Sequence, residues 1–192
     1  MKTAVLVHGW GGTPEGGWFP WLNQELTKKG WKVVAPQLPD TFIPKIESWT
    51  LKLNQVISNP NKDTYFIGHS IGCQTIMRYL EKLDSNIKVG GVIFVAGFFD
   101  LTGATWDEQY TEEIAKPWLK TPINFNKIKQ HTNNFISLFS DNDPYVSLSD
   151  AEIFKQKLGA KTIIEHNQGH FAGDDGITEL PIVLDELMRM AK

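Results

Sequence analysis

Short continuous apolar runs alternate along the chain with stretches whose apolar residues recur every three or four positions. Thr3–Val7 (TAVLV) is a β-branched run stopped by His8 and Gly9, the pattern of a strand buried on both faces. Residues 31–36, 64–68, 89–97, Phe135–Ser140 and 161–166 read the same way and predict five further strands. Residues 18–30 have helical spacing and close on lysines and Gly30, a stop signal. Residues 46–57 form a second helix, terminated at Asn59-Pro60. Residues 71–83 form a third, with Ile76, Tyr79, Leu80 and Leu83 on one face, and Ser149–Leu158 a fourth, ended by Gly159. The last helix is the clearest, with Leu180, Val183, Leu184, Leu187, Met188 and Ala191 on one stripe.

Strands separated by helices imply βαβ units, hence a parallel sheet of about six strands covered on both faces, a three-layer α/β/α sandwich. No repeat, low-complexity tract or linker divides residues 1–192, so a single domain is expected. Residues 98–132 differ in texture, being rich in aromatics, Thr and Pro with weak periodicity. They read either as a substrate-covering insertion or as an irregular connection carrying one helix.

Composition narrows the function classes. With 41% hydrophobic and 21% charged residues the balance is that of an ordinary globular chain. A net charge of -3 recommends neither nucleic acid nor an anionic membrane as a partner. The lone cysteine, Cys73, cannot build a disulfide framework, and no cluster has zinc-ligand spacing, so neither metal nor cofactor is expected. The apolar run at 4–7 is too short for a signal peptide, and a cytoplasmic location follows as the expectation.

The chemistry concentrates in four loops. Gly68-His69-Ser70-Ile71-Gly72 is a G-x-S-x-G placed after a strand and before a helix, the context of a nucleophile elbow. The sharp turn lifts the Ser70 hydroxyl above the sheet, and the helix N-terminus favours negative charge developing there. His8-Gly9-Trp10-Gly11-Gly12 follows the first strand, where the amide of Trp10 would join that of Ile71 as an oxyanion hole. Two phosphate-binding patterns fail in the same stretch. Residues 12–17 have P-loop glycine spacing, but Trp18 and Phe19 stand where Lys and Ser/Thr are needed, and Pro14 breaks the dinucleotide pattern.

A serine hydroxyl needs a base. Of five histidines, His8 and His69 lie inside the loops just named, where packing or local bonding is the plainer role, although His69 is also a candidate substrate contact. His131 falls in the irregular region. His170, in a loop expected to be mobile, fits the chain order Ser, acid, His, with His166 as its competitor. The acid should follow the strand at Phe135–Ser140, and Asp143, opening D-P-Y-V, is favoured over Asp141, which would accept backbone N–H groups in an Asx turn. Cys73, one turn into the helix, reads as a buried structural residue. Trp10, Trp18, Phe98, Trp106 and Trp118 are candidates for exposed aromatics lining an apolar acyl pocket, with Phe98 and Trp10 as substrate contacts.

VHGWGG at 7–12, GHSIGC at 68–73, PWLKTPINF at 117–125, SDNDPYV at 140–146 and QGHF at 168–171 together resemble the small serine hydrolases typified by retinoblastoma-binding protein 9, within the α/β-hydrolase superfamily. The resemblance spans essentially the whole chain. It implies a six-stranded parallel sheet lacking the first two strands of the larger fold, a minimal lid, and catalytic roles at Ser70, Asp143 and His170. The activity expected is cleavage of small carboxylic esters, with thioesters or amides as variants. The alternative is a protein-binding module on a hydrolase scaffold with weak activity.

Overall fold

The computed structural model describes residues 1–101 and 111–192. Its centre is one six-stranded sheet in the order β2-β1-β3-β4-β5-β6. The strands are β1 (Thr3–Val7), β2 (Lys32–Val34), β3 (Thr64–His69), β4 (Gly91–Val95), β5 (Phe135–Ser140) and β6 (Lys161–Glu165), and every neighbouring pair is parallel. Seven α-helices lie among the described residues: α1 (Phe19–Lys28), α2 (Ile46–Val56), α3 (Ile71–Leu80), α4 (Glu112–Lys120), α5 (Phe125–Lys129), α6 (Ser149–Leu158) and α7 (Pro181–Met190).

Alternate residues of each central strand feed two separate cores. Val5 and Val7 of β1, Phe66 of β3, Val92 and Phe94 of β4 and Phe135 and Phe139 of β5 pack with α2, α3, α5 and α6. Their neighbours Leu6, Ile67, Ile93, Val95, Ile136 and Leu138 pack with α1 and α7. Because both faces are covered, the strands carry no polar alternation, and the apolar runs in the sequence are continuous for that reason.

The third helix departs from expectation. All ten residues of α3 are buried, including Gln74, Thr75 and Arg78, so it has no solvent face. Its polar side chains anchor the irregular region instead. Gln74 Nε2 donates to the Phe98 carbonyl (3.0 Å), and Arg78 Nη2 donates to the Trp118 and Thr121 carbonyls (2.9 Å each), where α4 ends. An arginine at a helix C-terminus meets the negative end of the helix dipole, which offsets part of its burial. The described part of 98–132 holds two helices rather than one. Pro117 inside α4 and the five-residue length of α5 explain why neither left a strong periodic signal. Trp106 and the rest of 102–110 lie outside the described residues.

The chain steps outward from β1 to β2, then crosses back to β3 on the other side of β1. In open parallel sheets such a reversal leaves a crevice beyond the carboxyl ends of the flanking strands. Residues 8–12 and Ser70 emerge at that crevice.

Candidate active site

The turn from β3 into α3 is forced by close packing. Ser70 has φ +55° and ψ −126°, a backbone conformation that costs a non-glycine residue about 1–3 kcal/mol and persists only where its surroundings hold it. A Cβ on Gly72 would lie 2.3 Å from the Val7 carbonyl oxygen and 2.6 Å from that of His8, so the start of α3 touches the end of β1. A Cβ on Gly68 would lie 2.8 Å from Ile76 and 2.9 Å from the Cys73 amide nitrogen. The Ser70 N–H donates to the Val95 carbonyl (2.9 Å), which fixes the turn to β4.

Three side chains distant in sequence meet above this turn. Ser70 Oγ lies 2.9 Å from His170 Nε2, and His170 Nδ1 lies 2.8 Å from Asp143 Oδ2. A carboxylate only accepts, so Nδ1 carries the proton; the neutral ring then presents its Nε2 lone pair to the Ser70 hydroxyl. The other Asp143 oxygen accepts the Tyr145 and Val146 N–H groups (2.8 and 3.0 Å), which holds the carboxylate in one rotamer. Ser70 is 8% and His170 9% exposed, and the Asp143 carboxylate is buried. The Tyr145 ring stands edge-on to the imidazole, with centroids 5.1 Å apart.

The two rival residues pair with each other. His166 Nδ1 donates to Asp141 Oδ2 at 2.5 Å on the surface, and Asp141 Oδ1 accepts the Asn167 N–H (2.9 Å). Their mutual attraction raises the His166 pKa and lowers that of Asp141. Neither contacts Ser70 in any described bond.

The loop carrying His170, expected to be mobile, is instead tied down amide by amide. Asn167 N–H goes to Asp141, Gln168 N–H to Ser140 Oγ (2.9 Å) and Gly169 N–H to Asn142 Oδ1 (2.8 Å). His170 N–H goes to Asp175 Oδ2 (2.8 Å), Phe171 N–H to the Gln168 carbonyl (3.0 Å) and Ala172 N–H to Asp175 Oδ2 (2.9 Å). Phe171 is fully buried beneath it. Asn142 and Asp175 were not singled out from the sequence. Asn142 lay beside two competing aspartates, and Asp175 sits in a GDDG turn that reads as a solvated loop.

Two further histidines are neutral supports. Burial, and after it the neighbouring His170, pushes the His69 pKa down to about 3. Its Nε2–H donates to the His170 carbonyl (2.7 Å), so the ring braces the base residue while forming part of the cleft wall. Burial also lowers the His8 pKa. His8 Nε2 accepts the Leu38 N–H (3.1 Å) and Nδ1–H faces the Gly9 carbonyl (2.9 Å), joining the loops that follow β1 and β2. His131 is buried away from the cleft, with Nδ1–H on the Ile87 carbonyl (2.8 Å). Burial drives the Cys73 thiol strongly up in pKa and leaves it inert.

A cleft of about 450 Å³ opens over Ser70 and His170, with Trp10, Trp18, Phe98, Leu101, Tyr145 and Phe171 in its walls. Among the described residues, the expectation of exposed entrance aromatics holds only for Trp10, which is partly exposed and hydrogen-bonds the Phe42 carbonyl (3.0 Å). Trp18 is 1% exposed and donates to the Phe171 carbonyl (3.1 Å); it forms the wall from behind. Phe98 is likewise buried, and Trp118 belongs to the core, donating to the Pro44 carbonyl. Trp10 lies in the loop that follows β1, after His8 and Gly9, and Ile71 is the first residue of α3, so its N–H has no partner within the helix.

The chain is similar in sequence and fold to known proteins. YdeN of Bacillus subtilis is 28% identical over 186 residues, covering 97% of this chain and 94% of that protein. The crystal structure of the ydeN gene product matches with a TM-score of 0.90 at 27% identity, across 99% of this chain and 98% of that one. The serine hydrolase RBBP9 of Rattus norvegicus is 27% identical over 192 residues, covering 98% and 93%. A carboxylesterase structure from Nitrososphaera gargenis shares the fold at 14% identity, with a TM-score of 0.71 over 97% and 88% of the two chains. A family profile described as Serine hydrolase matches residues 4–189, a span that contains every residue of the site, and the chain belongs to that family.

Proposed function

We propose that this serine hydrolase cleaves small carboxylic esters by acyl transfer, with Ser70 as nucleophile, His170 as general base and then acid, and Asp143 as the group that orients the imidazole. The observation that carries the reading is the unbroken hydrogen-bonded line from Ser70 Oγ through His170 to Asp143, set on a strained serine at a helix N-terminus.

In the first half-reaction Ser70 Oγ attacks the ester carbonyl while its proton passes to His170 Nε2. The imidazolium is stabilised by Asp143, which keeps its own charge. The carbonyl oxygen becomes negative as the tetrahedral adduct forms, and the Trp10 and Ile71 amides donate to it. Collapse expels the alcohol, which takes the proton from Nε2, and leaves an acyl-serine. Water then repeats the sequence: His170 removes its proton, the hydroxyl adds to the acyl carbon, and Ser70 leaves with the proton returned to it. The ester preference leans on the carboxylesterase of like fold; the open, partly aromatic cleft suits a small apolar acyl group.

Hydrolysis of p-nitrophenyl acetate and butyrate by the wild type and Ser70→Ala tests the assignment. The variant should fall at least about 10³-fold, toward the rate left when only binding and oxyanion contacts remain. Equal rates would remove Ser70 from the mechanism. A fluorophosphonate probe should label the wild type at Ser70; failure to do so would favour a binding role for the scaffold.

A further inference from the structure

The base loop contains three residues with positive φ, Asn167 (+55°), Gly169 (+55°) and Phe171 (+57°), two of them not glycine. Backbone of this kind relaxes unless outside contacts over-determine it. Phe171 itself bonds to the Gln168 carbonyl and to Trp18, and one carboxylate oxygen ties the amides on either side of it. Asp175 Oδ2 accepts the N–H before it, from His170, and the N–H after it, from Ala172. Asp175 returns its own N–H to the Ala172 carbonyl (3.1 Å), closing the 3-10 turn at Gly173–Asp175. The carboxylate also lies close against Gly169, where an added Cβ would come within 2.3 Å of Oδ1 and 2.4 Å of the carboxyl carbon. On the far side of the same residue, His69 holds the His170 carbonyl.

From this arrangement we propose that Asp175 is a positioning residue for His170: it sets the peptide plane from which the imidazole projects, and thereby the distance between Nε2 and the Ser70 hydroxyl. The proposal rests on His170 being the catalytic base. It differs from the role of Asp143, since Asp175 touches only the backbone of His170 and neither ring nitrogen. Without the Oδ2 bridge the His170 and Phe171 dihedrals relax together, and a ring displaced by about 1 Å loses on the order of 100-fold in rate.

Two variants separate the acceptor from the charge. Asp175→Ala removes the bridge; Asp175→Asn keeps an amide oxygen able to accept both N–H groups. On p-nitrophenyl butyrate, Asp175→Ala should lose about 30–100-fold in kcat with KM within about 2-fold, and Asp175→Asn should stay within about 5-fold. In NMR of protein carrying ¹⁵N-histidine, the low-field His170 Nδ1–H signal should persist in the wild type and Asp175→Asn and broaden away in Asp175→Ala. Unchanged kcat in Asp175→Ala, or an Asp175→Asn as impaired as Asp175→Ala, overturns the proposal. Should Asp175→Ala not fold, amide exchange in Asp175→Asn decides: protection of the His170 and Ala172 amides retained with kcat supports it, and protection lost with kcat retained overturns it. If the wild type neither hydrolyses esters nor labels at Ser70, the hydrolase reading fails, while the response of the Nδ1–H signal still decides the role of Asp175.

Discussion

Replacing Asp150 by asparagine should remove a pH-dependent weakness beside the cleft. Asp150 lies in the first turn of α6, is 2% exposed, and accepts the Phe99 N–H through Oδ1 (3.0 Å), next to the cleft residue Phe98. Burial is the largest influence on its carboxyl; bonds from the Phe99 and Asp100 backbone oppose it and the Asp100 charge adds to it, with a net rise from 3.8 to about 6. The sign follows from proton linkage: a carboxyl that holds its proton more tightly when folded supports the fold at low pH, and that support is lost as pH climbs through the folded value. A rise of this size corresponds to about 2 kcal/mol of stability lost between pH 4 and pH 7.5, since the unfolded carboxyl is already partly ionised at pH 4. Asparagine keeps an acceptor for Phe99 and does not titrate. Any fixed cost of the amide is the same at every pH, so the informative quantity is how the difference between variant and wild type changes. Urea unfolding at pH 4 and pH 7.5 should show Asp150→Asn gaining about 2 kcal/mol on the wild type across that interval, about 4–8 °C in melting temperature for a chain of this size. Two parallel profiles, with a difference constant to within about 0.5 kcal/mol, would refute the assignment of a strained buried carboxyl.

Two other substitutions probe the site from outside the reacting atoms. His166→Ala should leave ester hydrolysis within about 2-fold, because its imidazole serves the surface pair with Asp141; loss of activity would return it to candidacy as the base. The stability difference between His166→Ala and wild type should be present at mildly acidic pH and fade as pH rises through the raised His166 value, read as paired melting curves. Gly72→Ala drives a methyl into the Val7 and His8 carbonyls and should cost about 3 kcal/mol or more, seen in urea unfolding; a midpoint within about 0.5 kcal/mol of wild type would mean the elbow is not held by that contact.

What was legible in the sequence was whatever local chemistry determines. β1, β5 and α6 begin and end where the pattern puts them, since each is bounded by a glycine, a polar loop or a change of period. The meeting of Ser70, His170 and Asp143 could be anticipated because the elbow pattern needs glycines on both sides at fixed spacing, and because chain order and the stiff D-P-Y-V turn left few competitors for its partners. The failures came from tertiary context. The apolar stripe of α3 suggested one buried face, whereas α2, α5 and the sheet enclose it on all sides. Trp18 and Phe98 have the composition of a pocket rim but lie behind its surface, because burial of an aromatic depends on which element covers it. The stiffness of the base loop was invisible for a related reason: its acceptors, Ser140, Asn142 and Asp175, come from two different segments.

The strap between residues 140–142 and 167–169 has a consequence for anyone who would re-engineer this enzyme. Each of three successive amides in one segment docks on a different side chain of the other: Asn167 on Asp141, Gln168 on Ser140 and Gly169 on Asn142. The pair therefore behaves as a two-stranded cassette. A chimera that imports one strand from a relative and keeps the other native mismatches three bonds at once, whereas exchanging both together preserves them. Recombination breakpoints placed between β5 and β6 should be tolerated only when parental residues at 140–142 and 167–169 agree.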